Sequence, residues 1–164
     1  MEPGLRVAVL TISSSRAAAD GAEDPGGDEL ERWARELGAD VVERDLVADA
    51  RGLIEDRIRH YADAVGCELV LTTGGTGFSP DDLTPEATLG VGERVAPGIA
   101  EAMRLASREH TDHWMLARNV AVIRGATLIV NFPGSPKAIG EAGEAIAGAL
   151  PHALALLRGE HTDH

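Results

Sequence analysis

Residues 68–77 read ELVLTTGGTG, a short apolar run that gives way at once to a loop with three glycines. Glu68–Thr72, rich in Leu, Val and Thr, has the pattern of a strand buried on both faces. Thr73-Gly74-Gly75-Thr76-Gly77 ends it, because glycines admit positive φ and contribute no side chain to a sheet. A buried strand with a glycine loop at its carboxyl end points to an open α/β sheet, which binds ligands at that edge.

The same arrangement recurs on either side. Leu5–Thr11 (LRVAVLT) reads as a second buried strand, followed by Ile12–Gly27, a long loop rich in Ser, Ala, Gly and Asp. Asp28–Leu37 carries Leu30, Trp33, Ala34 and Leu37 at helical spacing and stops at Gly38. Val41–Leu46 is a more polar strand, suited to an edge, and Ala50–Val65 reads as an amphipathic helix. Thr84 caps a helix opened by Pro85 and running to about Val91, and Pro97–Arg108 forms another. Val120–Ile123 and Thr127–Val130 form a hairpin across Arg124-Gly125-Ala126. Lys137–Leu157 is helical, with Pro151 starting a new segment or kinking it. Strands alternating with helices predict a doubly wound α/β fold. Its three-layer sheet is mostly parallel, with one antiparallel strand from the late hairpin. One domain spans 1–164, its core lying at about 5–157. The tetrapeptide His-Thr-Asp-His occurs at 110–113 and 161–164, too short to count as a repeat.

A chain of 164 residues suits one core. It is 44% hydrophobic but only 3% aromatic, so Ala, Val, Leu and Ile must fill that core. No apolar run approaches the length of a membrane span. The lone Cys67 excludes an internal disulfide, and the N-terminus has no secretory h-region, so the cytoplasm is expected. A net charge of -12 opposes nucleic acid and anionic membranes as partners. It also repels phosphates. A phosphate site here must rest on backbone N–H groups, local cations or a metal.

Four segments follow strands directly: Thr11–Gly27, Val47–Asp49, Thr73–Asp82 and Asn131–Lys137. Connections usually take roughly 2–6 residues, so the first and third are longer than connection requires. Thr73–Gly77 offers consecutive N–H groups and the Thr73 and Thr76 hydroxyls to an anion. It matches neither a Walker loop nor a dinucleotide fingerprint, and a merely tight turn explains the glycines too. Asp82 closes that loop where a cation could bridge carboxylate and phosphate. Beside its neighbour Asp81 it also reads as solvated surface charge. Asp49 is equally readable as a helix cap. Asn131–Lys137 combines a helix start, Ser135 and an ammonium, a cradle for an oxyanion or simply a capped helix. Lys137 is the single lysine among 15 basic residues. His110, Asp112 and His113 form one weak ligand-like cluster. Trp33 and Trp114 read as core or interface residues.

Thr72–Gly77, Asp82-Leu83-Thr84-Pro85-Glu86-Ala87 and Pro133-Gly134-Ser135-Pro136-Lys137-Ala138, in this order and spacing, resemble the MogA/MoaB family of molybdenum-cofactor biosynthesis. That family includes the gephyrin G domain. The resemblance covers about Leu5 to Leu157 and extends to Thr11-Ile12-Ser13 and the acidic Asp24–Asp28. It implies a trimer or hexamer that transfers AMP from ATP to the phosphate of molybdopterin with magnesium present, releasing pyrophosphate. It also implies a downstream molybdenum-insertion protein as a candidate partner. Asp49 and Asp82 would be the catalytic, metal-holding carboxylates. Ser13, Ser14, Thr73, Gly74, Gly75, Thr76, Gly77, Gly134, Ser135, Pro136 and Lys137 would bind substrate. Two departures stand out: Asp81 replaces a basic residue found in many relatives, and the first loop reads Ser13-Ser14-Ser15-Arg16. Three readings compete: an adenylyltransferase, a MoaB-like protein that binds molybdopterin without efficient catalysis, and a generic phosphosugar- or nucleotide-binding domain.

Overall fold

The computed structural model describes residues 4–161. The chain runs β1 (Arg6–Ile12), α1 (Ser14–Ala17), α2 (Pro25–Glu36), β2 (Asp40–Val47), α3 (Arg51–Arg59), β3 (Leu69–Thr73), α4 (Thr84–Val91), β4 (Arg94–Val95), α5 (Pro97–Ser107), β5 (Ala121–Arg124), β6 (Thr127–Phe132), α6 (Pro136–Ala147) and α7 (Leu150–Leu157). A π-helical turn, His60–Val65, extends α3, and a 3-10 turn, Trp114–Leu116, precedes β5.

The sheet order is β2-β1-β3-β6-β5-β4. β2, β1, β3 and β6 are mutually parallel. β5 pairs antiparallel with both β6 and β4, so β5 alone runs against the rest. The doubly wound α/β fold is therefore as its sequence pattern predicts, with β2 at an edge. Period-two alternation explains the two cores. Val7, Val9, Leu69, Leu71, Leu128, Val130 and Phe132 face one layer with Leu30, Trp33, Ile139 and Leu150. Ala8, Leu10, Val70 and Ile129 face the other with Ile54, Ile58, Tyr61 and Ala87. Trp33 lies in the first core, its ring 5.2 Å from that of Phe132. It also fills the space beside Gly143, where a Cβ would overlap the indole. Burial pushes the Cys67 thiol up to about 11, which leaves it protonated and unreactive.

Four local expectations are corrected. The stretch after β1 is not all loop: Ser14–Ala17 forms a helical turn, and α2 begins at Pro25. Asp24 makes that early start possible by capping Gly27 N at 3.1 Å, so Gly26 and Gly27 lie inside the helix. Thr84 is not a cap: the residue before α4 is Leu83, and the Thr84 hydroxyl donates to Gly74 O at 2.9 Å. Asp49 does not cap α3 either, since Ala50 holds that position with no side-chain bond. β4 is an additional strand, invisible in the pattern because Arg94 and Val95 are both exposed and do not alternate. The second His-Thr-Asp-His copy extends beyond the described residues. Among these, no helix is long and apolar enough to cross a membrane.

Candidate functional site

From β1 the chain moves outward to β2, then crosses back to β3 on the other side of β1. That reversal makes the carboxyl ends of β1 and β3 the topological switch point, where open α/β sheets leave a crevice. A cleft of about 410 Å³ occupies it. Thr11, Ile12, Ser13 and Arg16 line one side, Thr73 and Gly74 the floor, and Gly26, Gly134, Ser135 and Pro136 the far wall. The amino ends of α2 and α6 thus border the cleft, a setting favourable to anions. Gly74 is obligatory here. Its φ is 96°, and a Cβ would overlap the carbonyl oxygen of Ile12 on the neighbouring strand.

The hydrogen bonding of the glycine loop is one-sided. Gly74 O accepts from Thr84 Oγ1 at 2.9 Å, and Gly75 O from Thr84 N at 3.1 Å. Thr76 O accepts from Arg118 N at 2.9 Å, and Gly77 O from Arg118 Nε at 2.7 Å. Every carbonyl from Gly74 to Gly77 is tied to protein, whereas the N–H groups of Gly75, Thr76 and Gly77 donate to no described residue. A run of N–H donors without acceptors is the electrostatic complement of an anion.

Both candidate carboxylates lie against this loop. Asp49 Oδ2 accepts from Ser14 N and Ser14 Oγ, each at 2.9 Å. Its Oδ1 comes within 3.3 Å of where a Cβ on Gly75 would stand. Asp82 Oδ2 accepts from Ser79 N at 3.0 Å and would lie 2.8 Å from a Cβ on Gly77. Side chains at Gly75 and Gly77 would therefore crowd the acids. Each carboxylate keeps one oxygen that accepts nothing from the described residues. No cluster of three or more His, Cys, Asp and Glu converges among those residues. Two carboxylates from different segments beside one loop could hold magnesium jointly with ligand phosphates, the usual arrangement for this ion, rather than in an all-protein cage.

The remaining predicted residues divide. Ser13, Gly134, Ser135 and Pro136 border the cleft. Ser14 instead orients Asp49. Thr73 lines the floor, but its hydroxyl is not a free donor: it donates to Pro133 O at 2.7 Å, joining the ends of β3 and β6. Thr76 turns toward a smaller hollow shared with Arg104, Asn119 and Glu141. Lys137 is exposed, one residue beyond the cleft wall. His110 faces Glu141 at 3.5 Å, and Arg108 covers the Trp114 ring. Sequence reasoning missed two residues. Asp24 accepts from Thr11 Oγ1 at 2.7 Å and Arg44 Nη2 at 3.1 Å, fixing one wall of the cleft. Arg118 holds the glycine loop from behind. Arg118 carries no local signal, since its partners are distant in sequence; Asp24 before Pro25 has the local pattern of a helix cap, and only its bonds to Thr11 and Arg44 tie it to the cleft.

A family model described as "Probable molybdopterin binding domain" matches residues 8–152. The chain belongs to the MogA/MoaB family. Its similarity to members of that family runs over nearly its whole length. The molybdopterin adenylyltransferase of Haemophilus influenzae is 38% identical over 97% of this chain and 87% of its own. The structure of the molybdopterin biosynthesis enzyme MoaB from Thermus thermophilus superposes with a TM-score of 0.87 at 40% identity, covering 95% of this chain and 98% of its own. A structure of MogA gives 0.85 at 34% identity over 93% and 99%. The cleft, the glycine loop and both acids of this MogA/MoaB chain all fall within the matched residues.

Proposed function

We propose that the chain is a molybdopterin adenylyltransferase. The observation that carries the reading is the placement of two half-free carboxylates, Asp49 and Asp82, against one loop whose N–H groups lack acceptors among the described residues. Similarity over nearly the whole chain to relatives named for this activity supports it.

The chemistry follows from the arrangement. An oxygen of the molybdopterin phosphate attacks the α-phosphorus of ATP; the new P–O–P bond forms as the bond to pyrophosphate breaks. A phosphate monoester is already ionised near neutral pH, so no strong base is needed. The problem is repulsion between two anions on a protein of charge -12. The N–H groups of Gly75–Gly77, the amino ends of α2 and α6, and Arg16 beside the cleft counter that repulsion and fix the angle of attack. Asp49 and Asp82 would hold magnesium, which when bound neutralises phosphate charge. ATP with magnesium as co-substrate, a trimeric or hexameric assembly, cytoplasmic residence and hand-off to a molybdenum-insertion protein belong to the same proposal.

Asp81 favours a second reading, binding of molybdopterin without transfer. It is exposed and adds negative charge beside Asp82, where the family resemblance implies a basic residue. One assay separates the two. With molybdopterin, magnesium and ATP labelled at the α-phosphate, label should appear on the pterin product with one pyrophosphate released per transfer. Saturable molybdopterin binding with no transferred label would replace the first reading by the second.

A further inference from the structure

At the carbonyl side of the glycine loop, one guanidinium makes contacts that the proposed chemistry does not itself use. Arg118 Nε donates to Gly77 O at 2.7 Å and Nη2 to Asp82 O at 2.7 Å. Nη1 donates to both oxygens of Glu86, at 3.0 and 2.8 Å, and the main-chain N to Thr76 O at 2.9 Å. These bonds tie together the last glycine of the loop, the backbone at Asp82 and the first turn of α4. The hydrogen bonds from Arg118 also hold the Glu86 carboxyl below its ordinary value, so the pair is fully ionised near neutral pH.

We propose that Arg118 is the positioning residue that sets Asp82 and the Gly75–Gly77 amides in register with each other. The proposal rests on the adenylyltransferase reading for its effect on turnover. The loop must hold its carbonyls inward for its N–H groups to face outward, and a flipped peptide at Gly77-Phe78, whose oxygen the guanidinium holds, would turn a repelling acceptor toward the ligand. Of the carbonyls that fix this orientation, Gly77 O is held by the Arg118 guanidinium, while Thr76 O is held by its main-chain N, which the substitutions below retain. Its contact with Asp82 O holds the backbone from which the carboxylate projects. Lysine cannot reproduce the arrangement, because three divergent acceptors need the planar fork and a point charge satisfies about one.

The test uses the full-length protein with Arg118→Lys, Arg118→Ala and Glu86→Gln. Three quantities are read: steady-state kcat and KM for magnesium ATP, the molybdopterin Kd, and amide hydrogen exchange along the chain. Arg118→Ala should lower kcat by 30-fold or more and speed exchange by tenfold or more at Ser79, Asp82 and Thr84, whose N–H groups are hydrogen-bonded within and beside the loop. Molybdopterin Kd should stay within threefold, and exchange in β1, β3 and β6 should not change. Arg118→Lys should recover less than a third of the lost rate. Glu86→Gln, which leaves the bonds to Gly77 O and Asp82 O in place, should cost less than fivefold and guards against an Arg118→Ala variant that fails to fold. Unchanged loop exchange in both Arg118 variants, or full rescue by lysine, overturns the proposal. If the wild-type chain itself transfers no AMP, the functional reading falls, and the exchange result alone decides whether Arg118 positions the loop.

Discussion

Replacing Asp82 with asparagine should slow AMP transfer by about 100- to 1,000-fold, the loss typical when one preorganised electrostatic group is removed from a reacting phosphate or oxyanion. The substitution is close to isosteric. It leaves an oxygen to accept from Ser79 N, now 3.0 Å from Oδ2, so the loop should keep its shape. Only the charge at the mouth of the loop is lost. Molybdopterin affinity should therefore change less than threefold, while the dependence on magnesium concentration shifts upward. Asp49→Asn should behave alike, because Ser14 holds that side chain through both its N–H and its hydroxyl. If the two acids serve one ion, the double variant should fall well short of the product of the single losses. Transfer within threefold of wild type for Asp82→Asn would remove this residue from the reaction.

The second large effect is on stability. Gly74→Ala places a Cβ on a residue with φ of 96° and drives it into the Ile12 carbonyl. Left-handed strain and backbone overlap together should cost about 3 kcal/mol. For a chain of this size that lowers Tm by about 6–12 °C. The overlap falls between β1 and β3, so relief requires the strands to part at the switch point and turnover should be lost as well. Gly52→Ala in α3 is the control, since a Cβ there meets nothing within 4 Å. It should raise Tm slightly, by reducing the freedom of the unfolded chain. Equal Tm values for Gly74→Ala and wild type would contradict the close approach at the floor of the cleft.

What the sequence revealed and what it hid divide along physical lines. Strands β1, β3 and β6 were legible because burial on both faces demands continuous apolar runs. The edge position of β2 was legible from its charges. β4, with two exposed residues, had no apolar pattern to read. The start of α2 was concealed by Gly26 and Gly27, poor helix formers that this site requires. A Cβ on Gly26 would lie 2.9 Å from Gly134 O. The glycine loop and both acids could be located from their place after strands, but not the direction of a hydroxyl. Thr73 looked like a ligand donor and instead links Pro133. Arg118 lies 36 residues from Asp82 in sequence. An isolated arginine before a strand says nothing until the chain folds.

The central claim is that the amides of Gly75–Gly77 and the carboxylates of Asp49 and Asp82 meet one phosphorylated ligand. Backbone amide resonances of the wild-type chain, followed as magnesium ATP is added, address it directly. The largest shifts should fall on Gly75, Thr76 and Gly77, joined by Ser14, Ser79 and Asp82. Saturating shifts confined to another part of the surface, with the Gly75–Gly77 amides unmoved, would contradict it.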